Sequence, residues 1–364
     1  MVTSRFWVRT NTISERNSFL GPETRPLRKI RQAALAIGPH AGAHRVAIRA
    51  ATSIGVPLII LYCMGRMDLS VYAAFGALSS LYGRFHYYGD RVRMQLGAGV
   101  IFVSVLLIGT LLAVLDTDTS VRIMTIALVA TLVTGIVGGY KWHPDGATFA
   151  VFVAGAVATM PGDWINLAQI LVVTSAAALF SVLLTAALGL LRTRSWTKVF
   201  RPIRPAVFQA DWSVAVTVGV GALLAGLIGQ TFDDDHWYWA MVAASVVLAG
   251  AATTSRLTRS IQRFIGTTLG VLMAGVLLWF EMPTLAVISA VIVLQAAAEL
   301  LIGRNYGVAM LAVTPLALLM VSLANPIDPE ILVADRVFET FIGSLVGTGI
   351  ALVSAKLRTD ERPS

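Results

Sequence analysis

Residues 237–280 read WYWAMVAASVVLAGAATTSRLTRSIQRFIGTTLGVLMAGVLLWF, and this stretch decides the class of fold. An aromatic triplet, Trp237, Tyr238 and Trp239, opens a short apolar run from Ala240 to Ala252. A hydroxyl- and arginine-rich segment, Thr253 to Arg263, follows, and a second apolar run leaves from Gly266 and Gly270. Two apolar runs joined by a basic elbow suit a membrane better than a soluble core. Arg256, Arg259 and Arg263 are spaced i, i+3, i+7, so one helical face would carry all three. The stretch from Tyr72 to Leu115 has the same grammar: an aromatic, a short apolar run, Arg84, Arg91 and Arg93, then Gly97 and a long apolar run.

Composition agrees. The 364 residues are 56% hydrophobic and 13% charged, with a mean hydropathy of +0.76. Soluble domains carry roughly 25% charged residues, so the deficit points to an all-α polytopic membrane protein. The net charge of +8 then reflects arginine-rich cytoplasmic loops and implies no nucleic-acid partner. Cys63 is alone, which rules out an internal disulfide and says nothing of redox compartment. The first 27 residues are polar and basic and lack the apolar core of a signal peptide.

A spanning helix needs about 20 residues. Apolar runs near 46–63, 69–82, 94–115, 120–138, 147–161 and 165–191 form a first set. Runs near 212–230, 238–252, 264–280, 283–302, 306–323 and 336–356 form a second, giving about twelve transmembrane helices. The second and eighth are short for a full crossing; each either continues as a helix into its basic elbow or is a broken segment lined by protein. With a cytoplasmic N-terminus, the outside loops hold Asp68, Asp116, Asp118, Asp163, Asp233 to Asp235, Glu281, Asp328, Glu330 and Asp335, and among basic residues Arg66, Arg122 and Arg336. The other Lys and Arg fall inside, so both termini are expected in the cytoplasm.

Six spans on each side of the basic linker 192–205 give the halves one orientation, as a parallel repeat about an axis along the membrane normal. The expected organisation is a basic N-terminal segment (1–43, with 28–43 able to lie on the membrane as a short helix), a six-helix repeat (44–191), a linker (192–210), a second six-helix repeat (211–356) and a tail (357–364). Matching Gly97 to Gly266 aligns Arg93 with Gln262 and, after a two-residue gap, Tyr72 with Trp239.

The sequence holds no Walker loop, no dinucleotide fingerprint after a strand and no nucleophile elbow, so neither ATP-driven transport by this chain nor enzymatic chemistry is expected. His40 and His44 have no third metal ligand nearby, and neither a metal nor another cofactor is expected. Ionisable residues within spans are the better clues, because burying them in lipid is expensive. Glu299 lies near an inner helix end, five residues before Arg304, and Glu339 lies one turn inside an outer end, three after Arg336. Each is either an interfacial ion pair or a carboxylate that titrates during transport. Arg49 is expected to snorkel toward the cytoplasm beside Arg45. Trp239 and its neighbours form an aromatic belt at the outer interface or a wall on which a flat substrate stacks. Gly266 with Gly270, and Gly343 with Gly347, are small-xxx-small pairs that let helices approach, within the chain or in a homo-oligomer. Arg256, Arg259 and Arg263, with Thr253, Thr254 and Ser255, either anchor to lipid phosphates or collect an anionic substrate, since arginine forks fit carboxylates.

The segment TTSRLTRSIQRFIGTTLGVLMAG, preceded by Trp239 and Ala240, resembles the signature repeat of the fusaric acid resistance-like family, also described as aromatic acid exporters. Its Gln-Arg leading into Gly-Thr-x-x-Gly is carried here by Gln262, Arg263, Gly266, Thr267 and Gly270. The likeness spans residues 211–280, extends to about 356, and is degenerate in the first half, where Tyr72 replaces the tryptophan and Met94-Gln95-Leu96-Gly97 the core. Many members add a cytosolic domain; here the 192–205 linker joins the halves. The resemblance implies a bacterial inner-membrane protein that exports small, often aromatic, organic anions using the proton gradient. An uptake permease is the nearest rival. A membrane scaffold or subunit of an envelope-assembly complex is the rival from another class.

Overall fold

The structure, a computed structural model, describes residues 37–39, 42–201, 207–232, 236–249, 253–280, 282–324 and 329–360. Within those bounds the side chains of 165–166, 253–256, 324, 329–333 and 357–360 lie outside the description, as does the expected surface helix up to residue 36. The described residues contain helices and no strand.

Each apolar run becomes a helix. The first half holds α1 (Ala43–Cys63), α2 (Ser70–Ala77), α3 (Tyr88–Val114), α4 (Thr119–Gly139), α5 (Thr148–Ala158) and α6 (Trp164–Thr193). After a five-residue linker helix, Trp196–Phe200, the second holds α7 (Trp212–Gly229), α8 (Tyr238–Leu248), α9 (Thr253–Trp279), α10 (Thr284–Leu301), α11 (Tyr306–Ala324) and α12 (Pro329–Asp360). Among the described residues, nine helices are long and apolar enough to cross a bilayer, and Met67–Leu81, α5 and α8 are shorter apolar helices. Leucine, isoleucine, valine and aromatic side chains stay exposed around the bundle, among them Ile60, Val100, Leu132, Leu183, Val276 and Trp279. Water would penalise that surface and lipid does not, so this is a polytopic membrane protein.

The two halves repeat one packing scheme. In the first, α3 packs on α5 and α6, α2 on α6, α4 on α5, and α1 on α2 and α6; in the second, α9 packs on α11 and α12, α8 on α12, α10 on α11, and α7 on α8 and α12. The joint is reciprocal: α4 lies on α7 as α10 lies on α1, and α5 meets α8 as α11 meets α2. Exchanging the halves therefore maps the contact scheme onto itself. Side chains that touch across the joint include Thr131 against Gly219 and Ile292 against Gly55, where a missing Cβ allows close approach.

Both basic elbows sit at one end of the bundle, the elbow face. Of the two readings of the second and eighth spans, the structure has the broken one: neither helix runs on into its elbow. α2 gives way to a tight 3-10 stretch ending at Leu81, α8 stops at Leu248, and Arg91, Arg93, Arg259 and Arg263 belong to the helices that follow, α3 and α9. The fifth helix is short as well. Its end is set at Thr159, whose hydroxyl donates back to Gly155 and Ala156 carbonyls, just before Pro161. Eleven residues, as in α5 and α8, rise only about 16 Å, roughly half the thickness of the hydrocarbon core. Carbonyls where α2 unwinds find side-chain donors instead of water. Ser80 O accepts from Arg49 Nη2 at 3.0 Å and from Gln95 Nε2 at 3.1 Å, and Tyr82 O from Gln95 Nε2 at 3.3 Å. Arg49 is thus buried as a helix-end cap, and the expected snorkelling to the cytoplasm does not occur.

Candidate functional site

On the elbow face, a cavity of about 290 Å³ opens at the joint between the halves. Arg45, Arg49, Arg84, Arg91, Arg192 and Arg304 all line it, with Phe85, Tyr87 and Tyr88 as aromatic surface. The turn at 82–87 shapes its wall. Gly83 takes φ +77°, a left-handed conformation that glycine adopts without strain, and the Arg91 guanidinium ties the turn by donating to Gly83 O at 2.9 Å and His86 O at 2.8 Å. Arg304 donates to Gly38 O at 3.3 Å and its own carbonyl accepts from Gly38 N at 2.8 Å, which holds residues 37–39 at the rim. Arg45 and Arg192 are exposed, whereas Arg49 and the Arg84 side chain are buried, so the cationic lining runs from the solvent side into the protein. Six guanidiniums around one concavity raise the local concentration of anions and offer planar, two-pronged donors for carboxylates.

Glu299 is the carboxylate that pairs with a lining residue, Arg84. Its Oε2 lies 3.5 Å from Arg84 Nη1, and Arg84 Nη2 donates to its backbone carbonyl. Arg49 and His143 also lie within its electrostatic reach. The expected partner, Arg304, bonds Gly38 instead, because the loop after α10 turns it toward the rim.

A second polar cluster lies inside the second half. Arg336 is 2% exposed and holds its guanidinium 3.4 Å from the centroid of the Trp239 ring. Arg263, Tyr238, Tyr306 and Glu339 are within its electrostatic reach. Arg263 is 3% exposed and donates to Tyr306 Oη at 3.1 Å and toward Met310 Sδ at 3.5 Å. Glu339 is fully buried, and its carboxylate faces Gly229, where a Cβ would stand 2.8 Å from Oε2. Next to it His236 Nδ1 lies 3.0 Å from Asp335. Trp239, Arg263 and Glu339, read from three separate stretches of sequence, therefore meet in one buried cluster, and Arg336 and Tyr306 complete it.

Two expectations change. Trp237, Tyr238 and Trp239 are buried, so they form no aromatic belt; Trp239 stacks on Phe152 at 4.8 Å and carries Arg336, so its faces are covered. Arg263 points into the bundle and takes no part in the cavity, because ten residues of helix separate it from Thr253 and place it opposite α11. Arg259 is half-buried, and the side chains of Thr253, Thr254, Ser255 and Arg256 lie outside the described residues. The glycines mark helix crossings. A Cβ on Gly270 would stand 2.6 Å from Met310 O, and one on Gly266 would press on Gly307 O, both on α9 against α11. Gly343 and Gly347 bring α12 onto Ala243 and Val247 of α8, and Gly97 receives the Trp142 ring. The sequence marks Arg84, Arg91 and Arg304 as inside-loop charges; their convergence with Arg49 and Arg192 on one cavity is a matter of tertiary register.

Residues 224–350, from α7 into α12, match the family described as fusaric acid resistance protein-like. A protein of Bacillus subtilis (strain 168), named Uncharacterized membrane protein YvaC, is 28% identical over 160 residues, 42% of this chain and 25% of that protein. A protein of Escherichia coli (strain K12), named Uncharacterized protein YhfK, is 28% identical over 126 residues, 35% of this chain and 18% of that protein. The chain thus spans a quarter or less of the length of these curated relatives. No solved structure matches it. The resemblance read from the second elbow extends over most of the second half of this membrane protein, where residues 224–350 match the fusaric acid resistance protein-like family.

Proposed function

We propose that the protein is a secondary transporter that exports small organic anions, aromatic carboxylates foremost, across the bacterial inner membrane. The observation that carries this reading is the six-arginine cavity at the joint between repeated halves, where transporters of repeat architecture place their substrate. The aromatic wall of Phe85, Tyr87 and Tyr88 favours a flat, partly apolar anion over an inorganic one. Family likeness supports transport, and the arginine bias of the elbow face supports a cytoplasmic placement of that face and of both termini. On this orientation the cavity collects substrate from the cytoplasm, which favours export over uptake. We assign proton coupling to Glu339, a carboxylate buried beside Arg336 in the second half, where a proton is the cheapest way to change net charge.

The test is efflux of a panel of aromatic carboxylates from cells with and without the protein, together with the double variant Arg45→Gln/Arg192→Gln. These two exposed arginines carry no fold contacts of the kind that Arg49 and Arg91 make, so the variant is expected to fold and to export with a raised half-saturation concentration. A membrane scaffold predicts that no member of the panel is exported and that the double variant is silent.

A further inference from the structure

Arg84, like Arg304, reaches across the joint, and it does so to a carboxylate. It belongs to the 82–87 turn of the first half, and it reaches Glu299 on α10 of the second, 215 residues away. Its guanidinium passes 3.6 Å from where a Cβ on Gly303 would stand, so the glycine leaves room for it. The tie is nearly buried, with 7% and 10% of the two side chains exposed, yet the charged contact is loose: Nη1 to Oε2 is 3.5 Å. A well-formed guanidinium–carboxylate contact is about 2.7–2.9 Å and often two-pronged. Arg84 therefore meets Glu299 with one long prong and one bond to a backbone carbonyl, and it faces the cavity while doing so.

We propose that the carboxylate of an entering anion takes Arg84 from Glu299, and that this exchange loosens the joint between the halves on the elbow face. Glu299 then serves as a built-in stand-in for the ligand: in the empty protein it satisfies Arg84 and holds α10 to the 82–87 turn. A ligand that presents two carboxylate oxygens makes the better pair and leaves Glu299 behind. α10 stays packed on α1, so loss of the tie loosens the joint only at its elbow end, where a rocking motion of the halves would open it. Molecules with one anionic oxygen would bind without untying. This inference rests on the proposed role of the cavity as an anion site.

The experiment measures benzoate binding to the purified full chain in nanodiscs by calorimetry, with hydrogen exchange at 82–87 and 301–305. Glu299→Gln removes the competitor and its charge. Glu299→Asp keeps the charge but withdraws it by one methylene, beyond reach of Arg84. Both are expected to bind benzoate several-fold to about tenfold more tightly, a gain of up to about 1.4 kcal/mol. Benzoate should raise exchange in both segments of the unsubstituted protein, and Glu299→Asp should show raised exchange without ligand. Arg84→Lys keeps the positive charge but loses the planar fork, and, with folding checked by size-exclusion chromatography, should abolish the benzoate-dependent rise. Unchanged affinity and protection in Glu299→Asp, whether or not Glu299→Gln tightens, would reduce Glu299 to a background charge and overturn the exchange. Absence of benzoate binding in all of these proteins would instead overturn the reading of the cavity, and the exchange with it.

Discussion

In the first half Arg84 and Arg91 line an open cavity; in the second Arg263 turns inward to Tyr306 and is 3% exposed. Aligning Gly97 with Gly266 places Arg263 opposite Met94, which is also 3% exposed. One helix face is thus a core face in both halves, filled by a thioether in one and a guanidinium in the other. The first elbow spends its arginines on a turn beside the joint. The second carries one deep into the bundle, where Arg336, Glu339 and Trp239 surround it. A shared sequence grammar fixes where helices begin, and the face on which a charge falls decides whether it meets solvent or core. Buried charge at such a position is costly and favours a role in moving charge; charge around an open cavity favours a role in binding.

The largest effect expected from this contrast is at Glu339. Glu339→Gln should abolish transport driven by a pH gradient in inside-out vesicles, while benzoate binding stays as it is and size-exclusion chromatography shows a folded protein. A variant that transports normally at equal abundance would leave Glu339 a partner of the buried arginines and nothing more. Arg84→Lys against Arg263→Lys comes next. Loss of the planar fork at Arg84 removes charge-assisted hydrogen bonds worth roughly 1.5–3 kcal/mol each, so its half-saturation concentration for benzoate should rise about tenfold or more. Arg263→Lys should leave that concentration unchanged and lower the melting temperature, because the bond to Tyr306 is lost. The reverse pattern would move the binding site into the buried cluster. The smallest effect separates the paired glycines. Gly266→Ala presses on the Gly307 backbone and is expected to destabilise by about 1–3 kcal/mol. Gly97→Ala meets the Trp142 ring, which packs on Tyr82 and Tyr140 and would have to shift with them, and should cost less than a clash with backbone in thermal unfolding in detergent. Equal losses would mean that the ring is held as firmly as the backbone.

Much of the fold was legible because length and hydropathy are local. Twelve apolar runs became twelve helices, and shortness at the second and eighth could be counted from residues 69–82 and 238–252. The fifth helix hid its shortness, since Thr159 and Met160 extend the apolar run past the point where the Thr159 hydroxyl and Pro161 end the helix. The candidate site was less legible. Sequence proximity pairs Glu299 with Arg304, whereas its partner is Arg84, reached only through the packing of α10 on α1. Arg49 reads as a snorkelling charge until the unwound end of α2 is seen to need a donor at Ser80. Trp239 reads as an interfacial aromatic because its burial depends on Phe152 from the other half. In each case the missing information is the register between helices, which hydrophobic periodicity does not carry.

The shortness of α2, α5 and α8 has an electrical consequence. Each of these helices rises through only part of the bilayer's thickness. A membrane voltage falls mainly across the layer that excludes water and ions. Wherever water reaches both ends of these short helices, the drop is compressed into the septum between them, and the field there is steeper than in the surrounding lipid. One elementary charge carried through that septum exchanges about 2.3 kcal/mol with the membrane for each 100 mV. A displacement of a few ångströms in the septum would then count electrically as much as a far longer path through lipid.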